Sequence, residues 1–145
     1  MWVLTLSTLV LLAVLAYSDI KTRSVDPRLC LGFAAGTALI HLAAGDLSAG
    51  EIIGAVILGM VFIGLSHLMR GAIGAGDGFA VLAAGCGTGF SFELASVMYG
   101  LVLSAAAALI LIVVKHAGRK ATLPFLPYLL AGHALAWFAS AVVNA

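Results

Sequence analysis

Two aspartates, Asp19 and Asp77, stand apart from the other acids of this chain. Each lies at one end of a long apolar segment. Two carboxylates a few ångströms apart cannot both ionise easily and come to share one proton. The ionised member can take a proton from water while the protonated member polarises a peptide carbonyl. Water attacks, and the tetrahedral intermediate collapses. Such a pair hydrolyses a peptide with no metal, cofactor or covalent nucleophile. Taken singly, each residue has a plainer use. Asp19 could pair with Lys21 or Arg23. Asp77 could cap a helix, since aspartate is favoured at a helix N-terminus and the dipole there stabilises its charge. Spacing alone does not bring the two together.

The elements that must position them are membrane helices. Of 145 residues, 63% are apolar and 9% charged, and the mean hydropathy is +1.21. A soluble domain of this size needs far more charge on its surface. The net charge of +1 gives no electrostatic case for a nucleic-acid partner. Hydropathy predicts an all-α, six-helix transmembrane bundle in one domain, residues 1–145. The segments are Trp2 to Ser18, Leu29 to Ala44, Ile52 to Met69, Asp77 to Phe90, Leu94 to Val114 and Phe125 to Val143. The first has no basic region before it and runs into charged residues, so it reads as a retained span.

The cations give this count independent support. Lys21, Arg23 and Arg28 fall between segments one and two, Arg70 between three and four, and Lys115, Arg119 and Lys120 between five and six. By the positive-inside rule those three connections face the cytoplasm and both termini face outward. Asp19 and Asp77 then share the cytoplasmic side. Segment four has only 14 residues, roughly 21 Å of helix, against an apolar core of about 30 Å. It must begin below the surface or be tucked within the bundle. The glycine-rich stretch GAIGAGDGF, Gly71 to Phe79, would dip inward with it, since glycine permits unusual backbone angles and close approach.

The remaining polar residues have blander expectations. Asp46, Glu51 and Glu93 fall on the outer face and read as solvated loop residues. Asp26 reads as solvated or paired with Arg28. The four histidines have no ligand spacing. His41 and His116 look like helix-end residues, His67 could touch the loop before Asp77, and His133 sits mid-span and needs a backbone carbonyl or serine as partner. Cys30 and Cys86 have no metal-ligand spacing. Gly32 and Gly36 form a GxxxG pattern that lets helices approach closely. Pro124 and Pro127 suit the entry to the last helix. Trp2 and Trp137 read as interface anchors.

Three motifs, in order, frame almost the whole chain. SDIKTRSV (Ser18 to Val25) resembles the D-x-x-x-R-x-I-P-N stretch of the type IV prepilin peptidases. GAGDGFAVLAAG (Gly74, Ala75, Gly76, Asp77 and onward) resembles their G-x-G-D segment. LPFLPYLLAG (Leu123 to Gly132) resembles the segment opening their last span. The resemblance implies that Asp19 and Asp77 are the catalytic pair. Gly74, Gly76, Gly78, Arg23, Pro124 and Pro127 would shape the loop or meet substrate. It further implies cleavage of prepilins or pseudopilins after a glycine, at the cytoplasmic face of a prokaryotic inner membrane.

The sequence also departs from the pattern. Phe79 stands where the family has a lysine, Gly78 replaces a β-branched residue, and Asp26-Pro27 replaces Pro-Asn. Nothing matches the cysteine-bearing domain that the long members link to N-methylation. The resemblance is therefore to the short members that serve Flp/Tad-type pili, with peptidase activity and no methyl transfer. A non-catalytic bundle that stabilises a partner membrane protein is the competing reading. A proton-coupled carrier would place its charges nearer the midplane.

Overall fold

The computed structural model describes residues 2–68, 74–115 and 124–143. Met69, Arg70, residues 71–73, His116, Arg119, Lys120 and Leu123 lie outside the described residues, as do the side chains of Trp2 and Lys115. Among the described residues six helices follow one another: α1 (Trp2–Thr22), α2 (Pro27–Ala44), α3 (Ala49–Leu68), α4 (Ala75–Thr88), α5 (Phe90–Lys115) and α6 (Leu126–Val143). There is no strand among the described residues. Five helices, all but α4, are long and apolar enough to cross a membrane. Their outward faces carry large apolar side chains such as Val10, Leu39, Ile57, Val102 and Phe138. The chain is a multi-pass membrane protein.

The helix ends differ from the hydropathy reading because hydrogen bonding continues where apolarity stops. Helix α1 runs four residues past Ser18, so Asp19 sits inside its last turn. Helix α2 starts at Pro27, with Asp26 as its cap: Oδ1 accepts the Arg28 N–H at 2.9 Å. Helix α5 starts at Phe90, which takes Glu93 into its first turn.

The core is built around α4, which packs against α1, α2, α3 and α5. Every residue of it from Ala80 to Gly87 is buried. Hydrocarbon gives helices no hydrophobic reason to associate, so small side chains and close backbones must do it. Helix α4 supplies them. A Cβ at Gly78 would lie 2.6 Å from Ile63 Cγ1 and 2.7 Å from the Ile63 nitrogen, and one at Gly85 would lie 2.8 Å from Ala55 Cβ. Helices α5 and α6 meet in the same way at Gly100 and Gly132. The GxxxG pair read from sequence is not part of this packing. Gly32 and Gly36 are exposed, with nothing within 4 Å of an added Cβ.

Of the three acids expected to be solvated, Asp46 is exposed and Glu51 half-buried, yet each bonds a neighbouring group, and Glu93 is buried. His41 Nδ1 lies 2.7 Å from Asp46 Oδ1, and its Nε2 lies 3.1 Å from the Gly87 carbonyl of α4. Glu51 accepts the Ser91 N–H at 2.9 Å and the Ser91 hydroxyl at 2.7 Å, capping α5 from α3. Glu93 is fully buried, with Oε2 3.4 Å from Nδ1 of the equally buried His133. The polar group facing His133 is thus a carboxylate, not a carbonyl or a serine, without a hydrogen bond formed between them, and Phe92 packs against the ring. A charge drawn near a helix end in sequence looks solvated; here Glu51 meets donors on α5 and Glu93 faces His133 on α6.

These contacts make a paired prediction. Gly78→Ala should lose about 1–3 kcal/mol, since the new methyl meets backbone. Gly36→Ala should change stability by no more than ~1 kcal/mol, and toward stabilisation, because an exposed helical glycine is replaced. Thermal unfolding in one detergent checks both.

Candidate active site

The end of α1 is shaped by hydroxyls. Ser18 Oγ donates to the Ser24 carbonyl at 2.9 Å, and Thr22 Oγ1 donates to the Ser18 carbonyl at 2.9 Å. Thr22 Oγ1 and Ser24 Oγ lie 2.8 Å apart. Arg23 takes the left-handed conformation, φ +50°, and its N–H donates to the Asp19 carbonyl at 3.0 Å. Left-handed backbone is the common way to close a helix, although glycine usually does it. The chain is turned back sharply, and Val25 is laid against α4. A Cβ on Gly76 would lie 2.8 Å from Val25 Cβ.

Asp19 reaches across to α6. Its Oδ2 accepts the Leu126 N–H at 3.4 Å. The reason is local to α6. A helix leaves its first N–H groups without partners. Phe125, just before the helix, has no side-chain acceptor, and Pro127, its second residue, has no N–H. Leu126 therefore needs an acceptor from elsewhere, and α1 supplies it. Pro124 and Pro127 stand on either side of this contact, both half-buried.

Asp77 is the third residue of α4, and Gly74 is the cap position. It is therefore not the capping residue itself. Its N–H donates to the Gly74 carbonyl at 3.1 Å. Its carboxylate folds back over Gly74, where an added Cβ would lie 3.4 Å from Oδ2. The residue is only 9% exposed. The Asp19 carboxylate is close enough for its charge to act on Asp77. Three helix ends, those of α1, α4 and α6, thus bring both acids to one end of the bundle.

The surroundings are apolar. Val25, Phe62, Phe79 and Phe125 pack against the core from this end, and Phe62 and Phe125 stack with centroids 6.2 Å apart. Phe79 is half-buried. Lys21 turns away from the acids to Tyr17, with Nζ 5.6 Å above the ring and 3.5 Å from its hydroxyl. His67 is exposed, and its Nδ1 lies 2.9 Å from the Ile63 carbonyl of its own helix. The loop it was expected to touch lies outside the described residues. Among the described residues no group of three or more His, Cys, Asp or Glu could hold a metal ion.

Sequence reasoning chose the acids but missed what holds them. Pro127 one place after an uncapped helix start was the only signal that Leu126 would need an outside acceptor. Nothing in the sequence points to Val25 lying against Gly76. Chemically, the arrangement is a pair of carboxylates in an apolar setting, one on a helix N-terminus and the other on a backbone donor. It suits proton exchange with a water and a carbonyl.

A family model described as the type IV leader peptidase family matches residues 6–114. That span carries both aspartates and ends before α6. Among curated proteins and among solved structures nothing matches significantly.

The Val25 contact is testable by a double-mutant cycle. Gly76→Ala should cost about 1–3 kcal/mol of stability, because its methyl overlaps Val25. In a Val25→Ala background the same change should cost less by at least ~0.5 kcal/mol, as expected of residues in contact. Chemical or thermal unfolding of the four proteins gives the coupling.

Proposed function

The chain belongs to the type IV leader peptidase family, and from that premise we propose that it is a membrane-embedded aspartyl endopeptidase using Asp19 and Asp77. The observation that supports the reading is that both carboxylates lie at one end of the bundle, near enough for the charge of Asp19 to act on Asp77. The substrates are type IV prepilins or pseudopilins. Their short basic leaders are removed after a glycine at the cytoplasmic face of the inner membrane. Both termini lie on the outer side.

The chemistry follows from a shared proton. One carboxylate removes a proton from water as its oxygen attacks the peptide carbonyl. The other, protonated, donates to the carbonyl oxygen. The tetrahedral intermediate then collapses, the C–N bond breaks, and the amine nitrogen takes the proton first drawn from water. Gly74 keeps a side chain off the Asp77 carboxylate, so a substrate backbone can come close, and Gly76 leaves room for Val25. Gly78 fixes α4 against α3. Arg23, Pro124 and Pro127 set the chain turns that present Asp19 and Leu126. The apolar helix that follows the leader in a prepilin would lie along the lipid-facing surface beside the site. Phe79 gives this site an apolar wall where related proteases carry a cation, which bears on substrate choice more than on reaction class. Methyl transfer is not part of the activity.

The test is co-expression with prepilins that carry a basic leader and a glycine before the apolar helix. Cleavage after that glycine should appear as a mass shift. Asp19→Asn and Asp77→Asn should each reduce it by roughly 10²- to 10⁴-fold or more, with the protein still inserted and folded. Cleavage that survives either change would overturn the dyad. No cleavage of any encoded prepilin by inserted wild-type protein would favour a bundle that binds a partner.

A further inference from the structure

Two buried side chains in the seam between α5 and α6 have no part in the site described above. Glu93 and His133 are both fully buried, and Glu93 Oε2 faces His133 Nδ1 at 3.4 Å. Neither has a hydrogen-bond partner among the described residues. The buried Ser96 hydroxyl on the next part of α5 donates to the Phe92 carbonyl at 2.9 Å. The Phe92 ring packs against the imidazole, with centroids 4.9 Å apart. Burying such a pair is costly, and apolar residues of similar volume often hold two helices equally well or better. The best-attested use of a buried polar pair is to fix a register.

The rest of the seam leaves the register open. Helix α6 packs on α5 and α1. It meets α5 through small residues. A Cβ on Gly132 would overlap the Ser96 carbonyl, and one on Gly100 would lie 3.1 Å from the Tyr128 carbonyl oxygen. Yet Ser96, Gly100 and Ser104 stand four apart on α5, so successive turns each offer a small residue. A slide of one turn, about 5.4 Å, would set Gly132 against another of them. It would also part Glu93 from His133 and leave both among apolar side chains, which penalises that register.

Register matters because of what α6 carries at its start. His133 lies two turns beyond Leu126 on the same buried face, which also holds Leu129 and Ala136. About 10 Å of helix joins it to the Leu126 N–H, the donor to Asp19 Oδ2 at 3.4 Å. A one-turn slide would carry that N–H out of hydrogen-bond reach.

We propose that Glu93 and His133 are positioning residues: by facing each other they fix the register of α6 on α5, and so set the backbone donor that orients Asp19. The effect on cleavage rests on the proteolytic reading; the effect on Asp19 does not.

The chain has one Phe-Leu step, Phe125-Leu126. Carbon-13 in phenylalanine carbonyls and nitrogen-15 in leucine amides therefore isolate the Leu126 amide in NMR of the whole protein in micelles. In wild type this resonance should move on Asp19→Asn. The test variant joins Glu93→Met to His133→Leu. Its thermal stability should match or exceed wild type, yet its Leu126 resonance should no longer respond to Asp19→Asn. With a prepilin that wild type cleaves, it should lose roughly 10- to 100-fold in kcat, with KM little changed. If it does not fold, Glu93→Gln and Glu93→Met decide: the polar isostere should keep the response and the apolar residue should lose it. A wild-type amide indifferent to Asp19→Asn would overturn the proposal. So would a response that persists in the apolar variant, Gln and Met behaving alike, or a kcat unchanged once the response is lost. Absence of cleavage by wild type would count against the proteolytic reading, and the amide result would then decide this proposal.

Discussion

Close backbone contact around α4 is the constraint on which the rest of the structure depends. A helix of 14 residues cannot cross the hydrocarbon region unaided. It can sit inside only if other helices cover it and satisfy its ends. The glycines and alanines of α4 allow that cover. Ile63 and Gly59 of α3 press on Gly78, Ala55 on Gly85, and Thr8 and Phe33 on Gly87. Because packing, and not apolarity, drives association in lipid, a methyl group at one of these contacts matters more than a whole side chain on the lipid face.

The two ends of the bundle are built differently. At one end, three polar ties join helices in pairs: His41 and Asp46 to Gly87, Glu51 to Ser91, and Glu93 to His133. Gly89, with φ +92°, turns α4 directly into α5 there. At the other end stand Asp19, on the Leu126 N–H, and Asp77, folded over Gly74, with phenylalanines and Val25 packed at the same end. An anchored far end and a lightly held near end suit a site that must admit a peptide backbone without moving its acids.

Much of this was legible in the sequence. Six apolar segments stand out because lipid leaves only helices as a spanning solution for such residues. The types of the two acids and their place at segment ends were legible too. What holds Asp19 was not, since it is a backbone N–H of α6, 107 residues further along the chain. The outer acids misled for the same reason. Glu51 finds Ser91 40 residues away, and Glu93 finds His133 on another helix, so neither partnership leaves a local pattern. Gly32 and Gly36 misled in the opposite way. Their spacing is a local pattern, but it records only which residues share a face, and that face points outward.

The central claim is that Asp19 and Asp77 act as one titrating pair. The direct measurement is the carbon-13 shift of the Asp77 carboxyl through a pH titration, in wild-type protein and in Asp19→Asn. If the two share a proton, removing the charge of Asp19 must move the titration of Asp77, and the wild-type curve must show two coupled steps. An Asp77 titration that is single and unchanged in Asp19→Asn would mean two independent acids and would contradict the account.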